Sequence, residues 1–142
     1  LAHVGICLAP GIQARLGEYI EGRGPIAELA AEYAKARVFV APTRYAAGIP
    51  LKVYEAAAHG LPCVLTPLLA RQLDWRHDRE ALVADNPGDF ARACFALHSD
   101  ERLWNRLRSE AFRRTAEDCN RERFDCAVAD LCDHIAASRR LS

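Results

Sequence analysis

With 142 residues, 51% of them hydrophobic and 27% charged, the chain has the makeup of one globular domain with a real core rather than of a disordered chain. Its 19 basic and 19 acidic residues cancel, so no global field points to nucleic acid or to an anionic membrane. No apolar run approaches a membrane span, and no signal-peptide pattern opens the chain.

Leu1 to Leu8 reads as a strand, followed by Ala9-Pro10-Gly11 and a short helix at Ile12 to Leu16. Tyr19-Ile20-Glu21 reads as a brief second strand ending at Gly22-Arg23-Gly24. Pro25 is then expected to open a helix with Ile26, Leu29, Ala30, Tyr33 and Ala34 on one face, a full helical stripe. From Ala36 to Pro67 the chain reads strand, loop, helix, strand, about the length of a βαβ unit. Val38-Phe39-Val40 and Cys63-Val64-Leu65 are continuous apolar runs, as parallel strands covered on both faces require. Pro50 suits a first helical turn, and Gly60 with Pro62 is a stop signal. Ala81 to Ala84 is the last short strand.

Three helices finish the chain. Asn86 or Asp85 caps the first, with Pro87 at its start and Phe90, Cys94 and Leu97 on one face. Ser99 or Asp100 caps the second, which carries Leu103, Leu107 and Ala111. The third carries Phe124, Val128, Leu131 and Ile135 at helical spacing, a stripe that needs a cover. The pattern predicts an α/β fold: a Rossmann-like parallel sheet of about five strands flanked by helices, with a helical C-terminal tail. With no methionine anywhere, the chain is expected to be a single partial domain cut from a longer protein.

Six cysteines give no C-x-x-C and no zinc spacing, which favours a reduced chain. Cys119, Cys126 and Cys132 cluster near His134, but one helix through them would not converge them on an ion, so no metal is expected.

The chemistry concentrates in the loop from Pro42 to Ile49 and the helix after it, at the carboxyl end of a strand, where open α/β sheets bind ligands. Lys52 falls in the first helical turn, against the macrodipole, and is one of only two lysines beside 17 arginines. A lysine there makes sense if an anion sits at the helix start. Arg44 supplies a second cation able to grip phosphate, and Gly48 lets the backbone come close. Glu55 shares a face with Lys52 and His59, and its carboxylate can accept two hydroxyl hydrogen bonds. Together these suit a nucleoside diphosphate. Singly, each has a plainer reading: a surface ion pair for Lys52 and Glu55, a solvated charge for Arg44, a turn for Gly48, a helix-end residue for His59.

The stretch Ala36–Pro67 resembles the donor-binding segment of GT-B fold glycosyltransferases of the retaining group 1, or family 4. The residues that carry the likeness are Ala41-Pro42, Arg44, Gly48, Lys52, Glu55, Ala58, Gly60 and Pro62. It extends outward through His3-Val4-Gly5, Ile20 to Tyr33, Ala81-Leu82-Val83 and the closing helices. The resemblance implies a C-terminal domain that binds a nucleotide-sugar, with a separate N-terminal domain for the acceptor. Glu55 would hold the ribose hydroxyls, and the segment Gly48, Ile49, Pro50, Leu51 and Lys52 would border the diphosphate and sugar, with Arg44 beside them. The family needs no metal at this site, in keeping with the absence of a D-x-D pair; no cofactor is expected beyond the donor itself. The isolated chain is expected to be inactive and to self-associate. No residue here stands out as a general base.

The pattern is departed from at three places: Ala47 where many relatives have a glutamate, Leu51 where close relatives have glycine, and the pair Leu68-Leu69 where a small residue is common. They favour the alternative of a non-catalytic interaction or regulatory module that keeps the fold. A nicotinamide-binding Rossmann domain is disfavoured, since Gly5 and Gly11 are too far apart for G-x-G-x-x-G. Nucleic-acid binding is disfavoured by acids alternating with the arginines of the last helices. The expected location is cytoplasmic, or peripheral at the inner membrane face through parts outside this chain.

Overall fold

The computed structural model describes residues 2–3, 21–22 and 26–139. Strands β1 (Ala2–His3) and β2 (Glu21–Gly22) pair in parallel, Ala2 against Glu21. Helix α1 (Ala30–Lys35) leads to β3 (Phe39–Ala41), α2 (Leu51–Ala58), β4 (Cys63–Leu65), α3 (Pro67–Leu73) and β5 (Leu82–Val83). Helices α4 (Pro87–Ser99), α5 (Glu101–Asp118) and α6 (Arg121–Arg139) complete the chain. Strands β3, β4 and β5 form a parallel sheet in that order, with Ala41 opposite Leu65 and Leu65 opposite Val83. The fold is α/β, a parallel Rossmann-like sheet flanked by helices with a helical tail. All five expected strands are parallel, but among the described residues they form two ladders, one of two strands and one of three. The helix expected at Ile12 to Leu16 lies outside the described residues.

The central strand explains the layering. Cys63, Val64 and Leu65 are all fully buried, and successive side chains of a strand point to opposite faces. Cys63 and Leu65 join a core with Val53, Ala56 and Ala57 of α2 and Leu69 and Leu73 of α3. Val64 joins a second core with Leu82 and with Leu97 of α4. Helix α5 serves both, through Ala111 on one side and Leu107 on the other. This double cover is why β4 reads as an unbroken apolar run.

The sequence signals at helix ends hold where a side chain caps. Asn86 accepts from the Asp89 amide at 3.0 Å, and Asp100 accepts from the Arg102 and Leu103 amides at 2.9 and 3.0 Å. Helix α1 is a correction: residues 26–29 are not helical, and the helix begins at Ala30 after Leu29, whose side chain offers no oxygen to cap the free amides. Helix α3 went unread. Thr66, just beyond the expected strand Cys63-Val64-Leu65, is its N-cap, Pro67 is its first residue, and Asp74 ends it at φ 53.

Two tryptophans tie elements together. The Trp104 indole donates to the Arg37 carbonyl at 2.7 Å, and the Arg37 and Arg108 guanidinium groups each lie 5.4 Å from its ring centroid. Trp75 is buried, edge-on to Tyr54, and its indole reaches Asp118 at 3.5 Å. Asp118 also accepts from the Tyr54 hydroxyl at 2.9 Å and pairs with Arg114, so it ties α2 and the turn after α3 to α5.

Candidate functional site

Parallel pairing brings three strand ends to one edge, and a cleft of about 780 Å³ opens there. Val40, Pro42, Thr43 and Arg44 line it from β3 and the loop beyond; Thr66, Pro67, Leu68 and Arg71 line it from the end of β4 and α3; Asp85, Asn86, Pro87 and Phe90 line it from the end of β5 and α4. The first turn of α4 adds the partial positive charge of its dipole.

The loop after β3 is held at three points. The Thr66 hydroxyl donates to the Thr43 carbonyl at 2.8 Å, Lys52 Nζ donates to the Thr43 hydroxyl at 2.7 Å, and Gln72 Nε2 donates to the Ala46 carbonyl at 3.1 Å. Gln72 Oε1 is buried and has no hydrogen-bond partner among the described residues. Lys52 is therefore one contact removed from the cleft: it leans back from the first turn of α2 onto a residue that lines it.

Of the candidate donor-binding residues Arg44, Gly48, Ile49, Pro50, Leu51, Lys52 and Glu55, Arg44 alone lines the cleft directly. Gly48 sits in the loop at φ +82, a conformation that favours glycine, with open space where a Cβ would stand. Pro50 is buried at the start of α2, while Ile49 and Leu51 on either side are exposed. Glu55 lies one turn further along α2, exposed, beside Tyr33. Burial first, then the charge and hydrogen bonding of the Glu55 carboxylate, push the Tyr33 phenol up to about 12. His59 stacks on the same ring at 5.0 Å between centroids, so it packs against α1 at the far end of α2. The two ends of α2 thus differ: Lys52 turns toward the loop, and Glu55 and His59 turn toward α1.

The departures from the sequence pattern separate in the same way. Leu68 lines the cleft, Leu69 is buried in the core, and Ala47 and Leu51 are exposed outside the cleft lining. Reading of the sequence missed Thr66, Arg71 and Gln72. The signal was present: Thr66-Pro67 is a capping pair, and recognising α3 would have placed Arg71 and Gln72 on a helix that rises from a strand end.

The charge of the cleft is unbalanced. Most arginines outside it are engaged, as Arg76 and Arg79 are with Glu80, Arg113 with Glu110 and Glu117, and Arg37 and Arg108 with Trp104. Among the described residues no carboxylate pairs with Arg44 or Arg71, and the single acid of the lining is Asp85. Such a cleft attracts anions. Cys119, Cys126 and Cys132 are exposed thiols, and among the described residues no three metal-ligating side chains are gathered around one point. No helix of the described residues is long and apolar enough to cross a membrane.

The fold is similar to sucrose-phosphate synthase from Thermosynechococcus elongatus, with a TM-score of 0.74 and 22% identity, over 89% of this chain and 33% of that one. It is also similar to the C-terminal domain of a glycosyl transferase group 1 family protein (LpcC) from Francisella tularensis, with a TM-score of 0.60 and 20% identity, over 75% of this chain and 56% of that one. The chain therefore spans a third of the first and little more than half of the second, and at these identities the likeness is one of fold. No curated protein matches the chain. The family model described as Glycosyl transferases group 1 matches residues 6–100, more than half of the sequence and all of the segment that builds the cleft. By that match, the chain belongs to the glycosyl transferases of group 1.

Proposed function

We propose that this chain is the donor-binding half of a glycosyltransferase that moves a sugar from a nucleoside diphosphate to an acceptor. The observation that carries the reading is the cleft at the carboxyl ends of β3, β4 and β5, which is cationic through Arg44 and large enough for a nucleotide-sugar, in a chain of this family. In this reading Arg44 and Lys52 border the diphosphate, Glu55 accepts the ribose hydroxyls, and the turn Gly48-Ile49-Pro50-Leu51 shapes the approach. Fixed cations and helix N-termini stabilise the departing diphosphate in place of a bound metal, and transfer proceeds with retention, as the family resemblance implies. The acceptor, a carbohydrate, a lipid or another molecule, binds a second domain, and the chain alone transfers nothing.

Calorimetric titration of UDP, GDP and ADP into the full-length protein tests this. One of the three should bind with a Kd between about micromolar and millimolar, unchanged by EDTA, and Glu55→Ala should remove the binding. Binding of none of them would overturn the reading.

The exposed Tyr45, Ile49 and Leu51 favour a second reading, in which the fold is kept as an interaction or regulatory module. It requires full-length protein that transfers no sugar yet binds a protein partner through the Gly48–Glu55 face. Sugar transfer by that protein would eliminate it.

A further inference from the structure

Arg44 and Arg71 belong to different crossover segments and meet at one cleft because β3 and β4 pair in parallel, Ala41 opposite Leu65. Their supports are tied to each other: Gln72, the residue after Arg71, donates to the carbonyl of Ala46 in the Arg44 loop. Among the described residues both guanidinium groups lack a carboxylate partner, whereas many of the other arginines there are paired with carboxylates. Asp85 offers the lining one negative charge against two positive ones. An anion with two phosphoryl groups supplies what is missing, and guanidinium groups match phosphate oxygens in a bidentate way.

We infer that Arg71 is a second anion-binding arginine of this site, and that Arg44 and Arg71 together hold the diphosphate of the donor. The inference rests on the donor-binding reading above and adds to it a residue on α3. A plainer role exists, because Arg71 in the last turn of α3 also suits the helix dipole. A dipole role acts on the helix and leaves ligand affinity alone, so affinity separates the two.

The experiment titrates full-length protein with a nucleoside, its monophosphate, its diphosphate and inorganic pyrophosphate. Arg71→Ala should weaken the diphosphate and pyrophosphate by on the order of tenfold or more and leave the nucleoside unchanged. Arg71→Lys should recover part of the loss, since it restores the charge without the planar fork. Arg102→Ala, on α5 and outside the cleft lining, should match wild type. Because Arg71 is exposed, its variants should keep the wild-type thermal midpoint. Wild-type diphosphate affinity in Arg71→Ala, with Arg44→Ala weakened, overturns the role of Arg71 and leaves the donor reading standing. Pyrophosphate bound through both arginines with no nucleoside diphosphate bound upholds the pair and overturns the donor reading. Binding of neither by wild type overturns both.

Discussion

Glu80 is 1% exposed, and its carboxylate accepts the Arg76 amide at 2.8 Å while pairing with the guanidinium groups of Arg76 and Arg79. It closes the turn into β5, where Asp78 takes the left-handed φ of 59. Glu80→Ala would strip a buried amide of its acceptor and should cost about 1–3 kcal/mol. Glu80→Gln keeps an acceptor and loses only ion pairs whose arginine ends are half exposed, so it should cost less, about 1 kcal/mol or under. Urea denaturation midpoints check both; an unshifted Glu80→Ala would refute the role. A second group of residues sets behaviour in alkali. Burial pushes the Cys63 thiol from 9.0 up to about 12, and Tyr33 rises from 10.0 to about 12. Burial and then the hydrogen bond to Asp118 raise Tyr54 as well. The folded state holds these protons more tightly than the unfolded chain, so the stability is fully present below the ordinary values and is lost as pH rises from about 9 to 12. Denaturation midpoints should fall across that window, and Tyr33→Phe should flatten the fall; an identical slope in the variant would exclude Tyr33. At this scale the sequence was readable where a residue breaks a local rule. Lys52 in a first helical turn announced itself, and its bond to Thr43 accounts for where it points. Arg71 broke no rule, being one arginine among 17, and only the meeting of two strand ends sets it apart.

The elements were readable in proportion to how much of their signal is local. Strands β3 and β4 carry continuous apolar runs because they are covered, and α4 and α5 carry side-chain caps. Helix α1, with no cap, starts later than its apolar stripe does, because periodicity says which face is buried and not where the first amide finds an acceptor. Helix α3 is only seven residues long, too short to show periodicity of its own. The end of α2 gives a prediction at this scale. Gly60 has φ +76, and a Cβ there would stand 2.9 Å from Arg108 Nε, whose side chain donates to the Gly60 carbonyl. Gly48 has φ +82 and open space. Either glycine changed to alanine should lose about 1–2 kcal/mol from backbone strain. Gly60→Ala should lose more, because the Arg108 contact goes too. Thermal midpoints for the two variants check the order; Gly48→Ala as the worse of the pair would contradict it.

For the molecule as a whole, the expected apolar stripe of α6 is present and uncovered: Phe124, Val128, Leu131 and Ile135 are exposed, Phe124 at 68% and Leu131 at 61%. A stripe of that kind on a 19-residue helix promotes association. The isolated 142-residue chain should therefore sediment as concentration-dependent oligomers, and Leu131→Glu should return it to monomer. A chain that stays monomeric at high concentration would remove the idea. The two tryptophans offer a way to watch such events by light. Trp75, buried behind α2, α3 and α5, should emit from an apolar setting, whereas Trp104, only partly buried and beside two guanidinium groups, should emit further to the red. Loss of the blue component reports the core behind β4 opening, and a change in the red one reports Arg37 and β3 parting from α5. One fluorescence spectrum thus resolves two halves of the fold separately, with neither indole in the cleft to confuse the signal with that of a bound nucleotide.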